Sequence, residues 1–159
     1  MRTVWLGLVI RLFLGSLHAG AEAPALIDLR NSQPNQQVVS LEGKWNMYWQ
    51  QLLTPADLPA EGGVLVDFPK KWTSTQIDGQ YLPATGYASY ELRVLLPPGS
   101  KGLGLNMPDV YTSYRLYVNG KLLQANGEPG TSAETTKPYW LGRTFALPEG
   151  ADTLHLLLQ

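Results

Sequence analysis

The residues of this sequence best suited to recognition chemistry are four aromatics in turn-rich stretches, Tyr87, Tyr111, Tyr139 and Trp140, with Asn106, Asp109 and Asn126 as polar companions. A ring face stacks on a pyranose while amide and carboxylate groups hold its hydroxyls, so the set fits a ligand site of the sugar-binding type. In the competing reading Trp140 and Tyr114 belong to the core and the other aromatics cover sheet edges. Trp45 and Trp49, on an alternating stretch, read as core.

Bond-breaking chemistry has less support. Hydrolysis needs convergent carboxylates, a metal cluster or an activated nucleophile. Of the 2 histidines, His18 falls in the N-terminal segment treated below, and His155 has no Asp, Glu or second His beside it in sequence. A Ser-His-Asp triad built on His155 stays open on sequence grounds, although lone strand histidines are common. No His-x-x-x-His, Gly-x-Ser-x-Gly or phosphate-cradling glycine loop is present. The absence of cysteine excludes a disulfide framework, a Cys-based metal site and a thiol nucleophile. Glu42, Glu91, Asp109 and Glu128 are scattered and read as turn and surface residues, Asp109 following Pro108 where Asp favours a turn. No catalytic residue, metal or cofactor is therefore expected.

The elements that would position the aromatic set are short strands. In Tyr90-Glu91-Leu92-Arg93-Val94-Leu95-Leu96, Glu91 and Arg93 face one way while Tyr90, Leu92, Val94 and Leu96 face the other, and Pro97-Pro98-Gly99 stops the run. Leu103, Leu105 and Met107 form another inward row, ended by Pro108. Tyr114, Leu116 and Val118 form the next, and Asn119-Gly120 is a two-residue hairpin signal into Lys121-Leu122-Leu123. Trp45, Met47 and Trp49 alternate with polar partners, Val64-Leu65-Val66 is a short apolar strand, and stretches 140–147 and 153–158 complete the set. The one helical turn expected is at Thr54-Pro55-Ala56-Asp57, with Thr54 as cap. Strands at intervals of about ten residues with Gly- and Pro-rich turns predict an all-β, antiparallel β-sandwich, a jelly roll in particular.

Residues 1–21 have the order of a secretory signal peptide: Arg2, an apolar stretch from Val4 to Leu17, then small residues ending at Ala21. Export to the periplasm is expected, with 22–37 as an N-terminal extension and 38–159 as the sandwich. An uncleaved anchor is the alternative, because Arg11 interrupts the apolar stretch. Cleavage removes Arg2 and Arg11 and leaves 10 basic against 13 acidic residues, a charge that draws no nucleic acid. The 138 residues that remain are enough for a hydrophobic core. The chain stops at Gln159 within an apolar strand, so a partial gene product lacking the last strand of its sandwich is expected.

The run Leu41-Glu42-Gly43-Lys44-Trp45-Asn46-Met47-Tyr48-Trp49 and the later Phe68-Pro69-Lys70-Lys71-Trp72 resemble the opening of the galactose-binding-like jelly roll. That opening is shared by the sugar-binding domain of family 2 glycosidases and by bacterial receptor ectodomains. Gly86-Tyr87-Ala88-Ser89-Tyr90-Glu91-Leu92-Arg93, the run from Met107 to Lys121, and Asn126-Gly127-Glu128-Pro129-Gly130-Thr131-Ser132 resemble the periplasmic domain of seven-transmembrane receptors with diverse intracellular signalling modules. The resemblance spans about residues 38–158. It implies a non-catalytic sensor domain that binds a carbohydrate or other small ligand. In a full-length relative it would precede a membrane bundle and an output module such as a diguanylate cyclase or histidine kinase. An accessory domain of a family 2 glycosidase and a free-standing secreted lectin-like protein are the alternatives.

Overall fold

Apolar residues at every second position give this chain a nearly all-β structure, seen in a computed structural model that describes residues 25–108 and 112–159. The expected signal peptide, Asp109 and Tyr111 lie outside the described residues. The strands are β1 (Leu26–Asp28), β2 (Gly43–Trp49), β3 (Val64–Phe68), β4 (Gln76–Ile77), β5 (Gln80–Tyr81), β6 (Ala88–Leu95), β7 (Gly104–Met107), β8 (Tyr114–Val118), β9 (Lys121–Asn126), β10 (Arg143–Ala146) and β11 (Thr153–Leu158). Among the described residues there is no α-helix, and Trp72–Ser74 forms a 3-10 turn. The helical turn expected at 54–57 closes only once: Asp57 N–H donates to Thr54 O at 3.0 Å, and Thr54 Oγ1 donates to Asp57 Oδ2 at 2.5 Å.

One sheet holds seven strands in the order β3-β2-β6-β11-β8-β9, with β1 also paired to β6. All its pairings are antiparallel except β1 with β6. The register explains that exception. Strand β2 accompanies β6 only from Ala88 to Glu91, and β1 lies beside Arg93, Val94 and Leu95, where β2 has left off. Leu26–Asp28 thus enters the sheet from a stretch expected to be an extension. The Asn119-Gly120 hairpin forms as its residue types dictate, with φ of 49° and 79°.

The inner face of this sheet carries the rows Trp45 and Met47, Leu92 and Val94, Leu154, Leu156 and Leu158, and Tyr114, Leu116 and Val118, all buried. All of these but Met47 pack against Leu103, Leu105, Met107, Phe145 and Leu147 in and around the second sheet, the antiparallel pair β7–β10. Beside it, Met47, Val66 and Ala88 pack against Trp72 and Ile77 by the β4–β5 hairpin. Trp45, Phe68 and Tyr90 bridge the two regions with ring centroids 4.5 and 5.1 Å apart, and Trp45 Nε1 donates to Leu41 O at 2.9 Å. The result is an open antiparallel sandwich rather than a closed barrel. The late strand expected over 140–147 begins only at Arg143, which leaves Trp140 outside it.

Tyr114 is 1% exposed and its hydroxyl has no hydrogen-bond partner among the described residues. A buried unpartnered hydroxyl costs about 1–3 kcal/mol. Tyr114→Phe is therefore expected to be neutral or to stabilise by up to about 1 kcal/mol in urea unfolding, since it keeps the packed ring. A clear loss of stability would mean that the hydroxyl has a partner.

Candidate functional site

Strand directions bring the ends of β2, β11 and β9 and the starts of β6 and β8 to one end of the large sheet. Trp49 closes β2 opposite Ala88, Leu158 ends β11 beside Leu116, and Tyr114 opens β8 opposite Asn126 at the end of β9. In the second sheet Met107 ends β7 opposite Arg143. Pro108, after β7, and Thr112 and Ser113, before β8, are the described residues that adjoin this end.

Asn126, Tyr139 and Trp140 come together there. Asn126 is 4% exposed, and its Nδ2 donates to Tyr139 O at 2.5 Å while Tyr139 N–H donates to Thr112 O at 2.8 Å. Glu128 and Lys137 exchange backbone hydrogen bonds of 2.9 Å each way, and their side chains form a 2.9 Å ion pair. Between them Thr136 Oγ1 donates to Ser132 O at 2.7 Å. The loop after β9 is thus braced along its length, and it holds out two large rings, Tyr139 at 55% and Trp140 at 62% exposure. That exposure removes the core reading for Trp140, whereas Tyr114 is core. With its amide engaged by the loop backbone, Asn126 is a positioning residue for the pair.

The other candidates stand further off. Tyr87 is half-buried, its carbonyl accepting from Gln50 N–H at 2.9 Å. It precedes β6, and three strand spacings separate β6 from β9, about 14 Å. Asn106 is exposed on β7, its Oδ1 accepting from Thr144 Oγ1 at 3.0 Å. Asp109 and Tyr111 lie outside the described residues, between Pro108 and Thr112.

A second constellation, on the outer face of the large sheet, escaped the sequence reading. Glu91, read as a surface residue, is 7% exposed. It lies opposite Asn46 on β2 and Leu157 on β11, so Tyr48 and His155 are its diagonal neighbours, within reach of long side chains. His155 Nε2 lies 2.6 Å from Glu91 Oε1, and Asn46 Nδ2 and Tyr48 OH each donate to Oε2 at 3.1 Å. Arg93 Nε is 3.9 Å from Oε1. The hydrogen bond from His155 does most to hold the Glu91 carboxyl down at about 2; burial opposes it, and the bonds from Asn46 and Tyr48 add to it. The same carboxylate and burial push the Tyr48 phenol up to about 12, burial being the larger cause.

This arrangement supplies a fixed imidazole beside an ionised carboxylate. The hydroxyl on the same row, Ser89, is engaged elsewhere: its Oγ donates to Gln51 O and accepts from Leu53 N–H, each at 2.8 Å. Glu91 and Arg93 do face away from the core, as the alternation in β6 predicts; the missing information was which strands flank β6.

Among the described residues, no group of three or more His, Cys, Asp or Glu side chains could hold a metal ion, and no helix is long and apolar enough to cross a membrane. A cleft of about 320 Å³ runs along β3, with Lys44 and Lys70 both paired to Asp67 at its side. It contains none of the candidate residues. Compared with known proteins, the chain matches no family model, no curated protein and no solved structure.

Proposed function

We propose that this chain is a non-catalytic ligand-recognition domain, the exported sensor portion of a membrane receptor, with carbohydrate as the favoured ligand class. The observation that carries the reading is the Tyr139–Trp140 pair, held out at the sandwich end by Asn126 and the Glu128–Lys137 bridge. Two large aromatic residues in succession, both this exposed in a braced loop, are uncommon on a folded surface without a binding role. Exposed aromatic rings have the chemistry to stack on a sugar face. Export and the receptor setting come from the N-terminal pattern and from the resemblance of the Tyr87, Tyr114 and Asn126 stretches. A fold of this kind serves many functions, so the site carries the argument about ligand.

The test is a glycan panel followed by calorimetry on the best hit. Trp140→Ala is expected to weaken binding by about 1–3 kcal/mol with little change in thermal midpoint, because an exposed ring contributes little to folding. Tyr111→Ala is expected to act in the same range if that tyrosine belongs to the site. Affinities unchanged in both variants would remove this end of the sandwich from recognition. Absence of any hit across the panel would overturn the carbohydrate assignment.

A further inference from the structure

A second recess lies on the outer face of the large sheet, away from the aromatic end. Residues 50–63, which join β2 to β3, cross this face as a strap. They are tied to β6 through Ser89, and Leu53 O accepts from Gln159 Nε2 at 2.8 Å. Between the strap and the sheet is a cavity of about 140 Å³, walled by Pro55 and Leu58 above and by Tyr117, Gly120, His155 and Leu157 below. The recess is partly open and mixed in lining, and its volume is close to the ~150 Å³ at which a closed apolar cavity accepts a benzene-sized ring.

One wall of this cavity is polar, and its polarity is fixed by chemistry already described. An ionised carboxylate only accepts hydrogen bonds, so in the 2.6 Å contact with Glu91 it is His155 Nε2 that carries the hydrogen. In the neutral ring Nδ1 is then an acceptor, and the contact with Glu91, made through Nε2, leaves it unused. The imidazole is held in one tautomer by a group that is itself fixed by Asn46 and Tyr48.

We infer that this cavity binds a small neutral ring compound carrying one hydrogen-bond donor, of the phenol class, with the ring packed on Leu58, Tyr117 and Leu157 and the hydroxyl donating to His155 Nδ1. The aliphatic and aromatic walls supply affinity through apolar burial. The single acceptor supplies selectivity, because a ring without a donor leaves a buried acceptor unpaired. An anionic ring is disfavoured, since its charge would lie close to the Glu91 carboxylate. This site is independent of the Tyr139–Trp140 reading, as it lies toward the Asn119 and Gly120 turn, at the far end of β8 and β9.

The test is a two-dimensional NMR titration of the protein with phenol, toluene and benzoate. Phenol is expected to give saturable shifts at Leu58, Tyr117, Leu157 and the His155 ring, with toluene and benzoate each at least fivefold weaker. Leu58→Trp, which fills the cavity from the strap, is expected to abolish those shifts in a protein that still gives a folded spectrum. His155→Phe, if folded, is expected to bring phenol and toluene to equal affinity. The inference is overturned if phenol shows no saturable shift at these residues, if toluene binds as well as phenol to the unaltered protein, or if Leu58→Trp leaves the shifts unchanged.

Discussion

Glu91→Gln is expected to lower stability at pH 7 by about 2–3 kcal/mol and to reduce the loss of stability between pH 4.5 and pH 2 by about the same amount. The carboxyl is held at about 2 in the fold against an ordinary 4.5, and each unit corresponds to about 1.4 kcal/mol. With the folded value below the unfolded one, the unfolded chain takes up the proton first as pH falls. The contribution is therefore complete above 4.5, declines as pH drops below it, and is gone once pH passes below about 2. Glutamine resembles the protonated acid in shape, so the variant starts where acid takes the wild type. The 36% exposure of the His155 side chain brings the figure below the full three kcal/mol, because solvent screens that partner. Asp28 and Asp67 also titrate low through their ion pairs, but they are exposed and unchanged in the variant, so they form a common background. Urea unfolding of both proteins at pH 7, 4 and 2.5 checks the prediction. Parallel losses of stability in the two proteins would show that Glu91 is not the linked group.

The same residue marks the limit of what the sequence discloses. Alternation in 90–96 is local, and it correctly divides Leu92 and Val94 from Glu91 and Arg93, because each side chain's face follows from its parity along a strand. Burial of Glu91 is not local. It depends on Asn46 and Tyr48 arriving from 43 and more residues upstream, on His155 from 64 downstream, and on a strap laid over the row. No propensity or spacing encodes such a pairing order, and so the sequence shows Glu91 only as a scattered surface carboxylate and His155 only as a lone strand histidine. Strand β1 escaped for a related reason: three residues are too few for a period, and their place is set by the lane that β2 vacates beside β6. The aromatic end was more legible, since Asn119-Gly120 fixes the hairpin whose far end is Asn126. What the sequence could not say was that the Asn126 amide would brace the loop carrying Tyr139 and Trp140.

That brace makes Gly127 a sensitive position of the aromatic end. Gly127→Ala is expected to cost about 2–4 kcal/mol and to displace both rings. Two separable effects add. The backbone at Gly127 has a φ of +65°, where any side chain costs about 1 kcal/mol relative to glycine. A Cβ there would also collide with the Lys137 carbonyl oxygen and lie 2.9 Å from Ser113 Cβ and 3.1 Å from Tyr139 N. Two of those three atoms are backbone, so relief requires the chain to move, at a cost of about 1–3 kcal/mol. The movement would part Glu128 from Lys137 and pull Tyr139 N–H from Thr112 O, the bonds that aim the aromatic pair. Gly120 supplies the control: its φ is +79°, but a Cβ there meets nothing within 4 Å, so Gly120→Ala carries the conformational cost alone. Urea unfolding of the two variants, with NMR of the Trp140 indole, separates the terms. A larger loss in Gly127→Ala with a shifted Trp140 resonance fits a loop held by close backbone approach. Equal losses and an unmoved indole would mean that the loop yields freely, and the rigid presentation of Tyr139 and Trp140 on which the recognition site depends would fall with it.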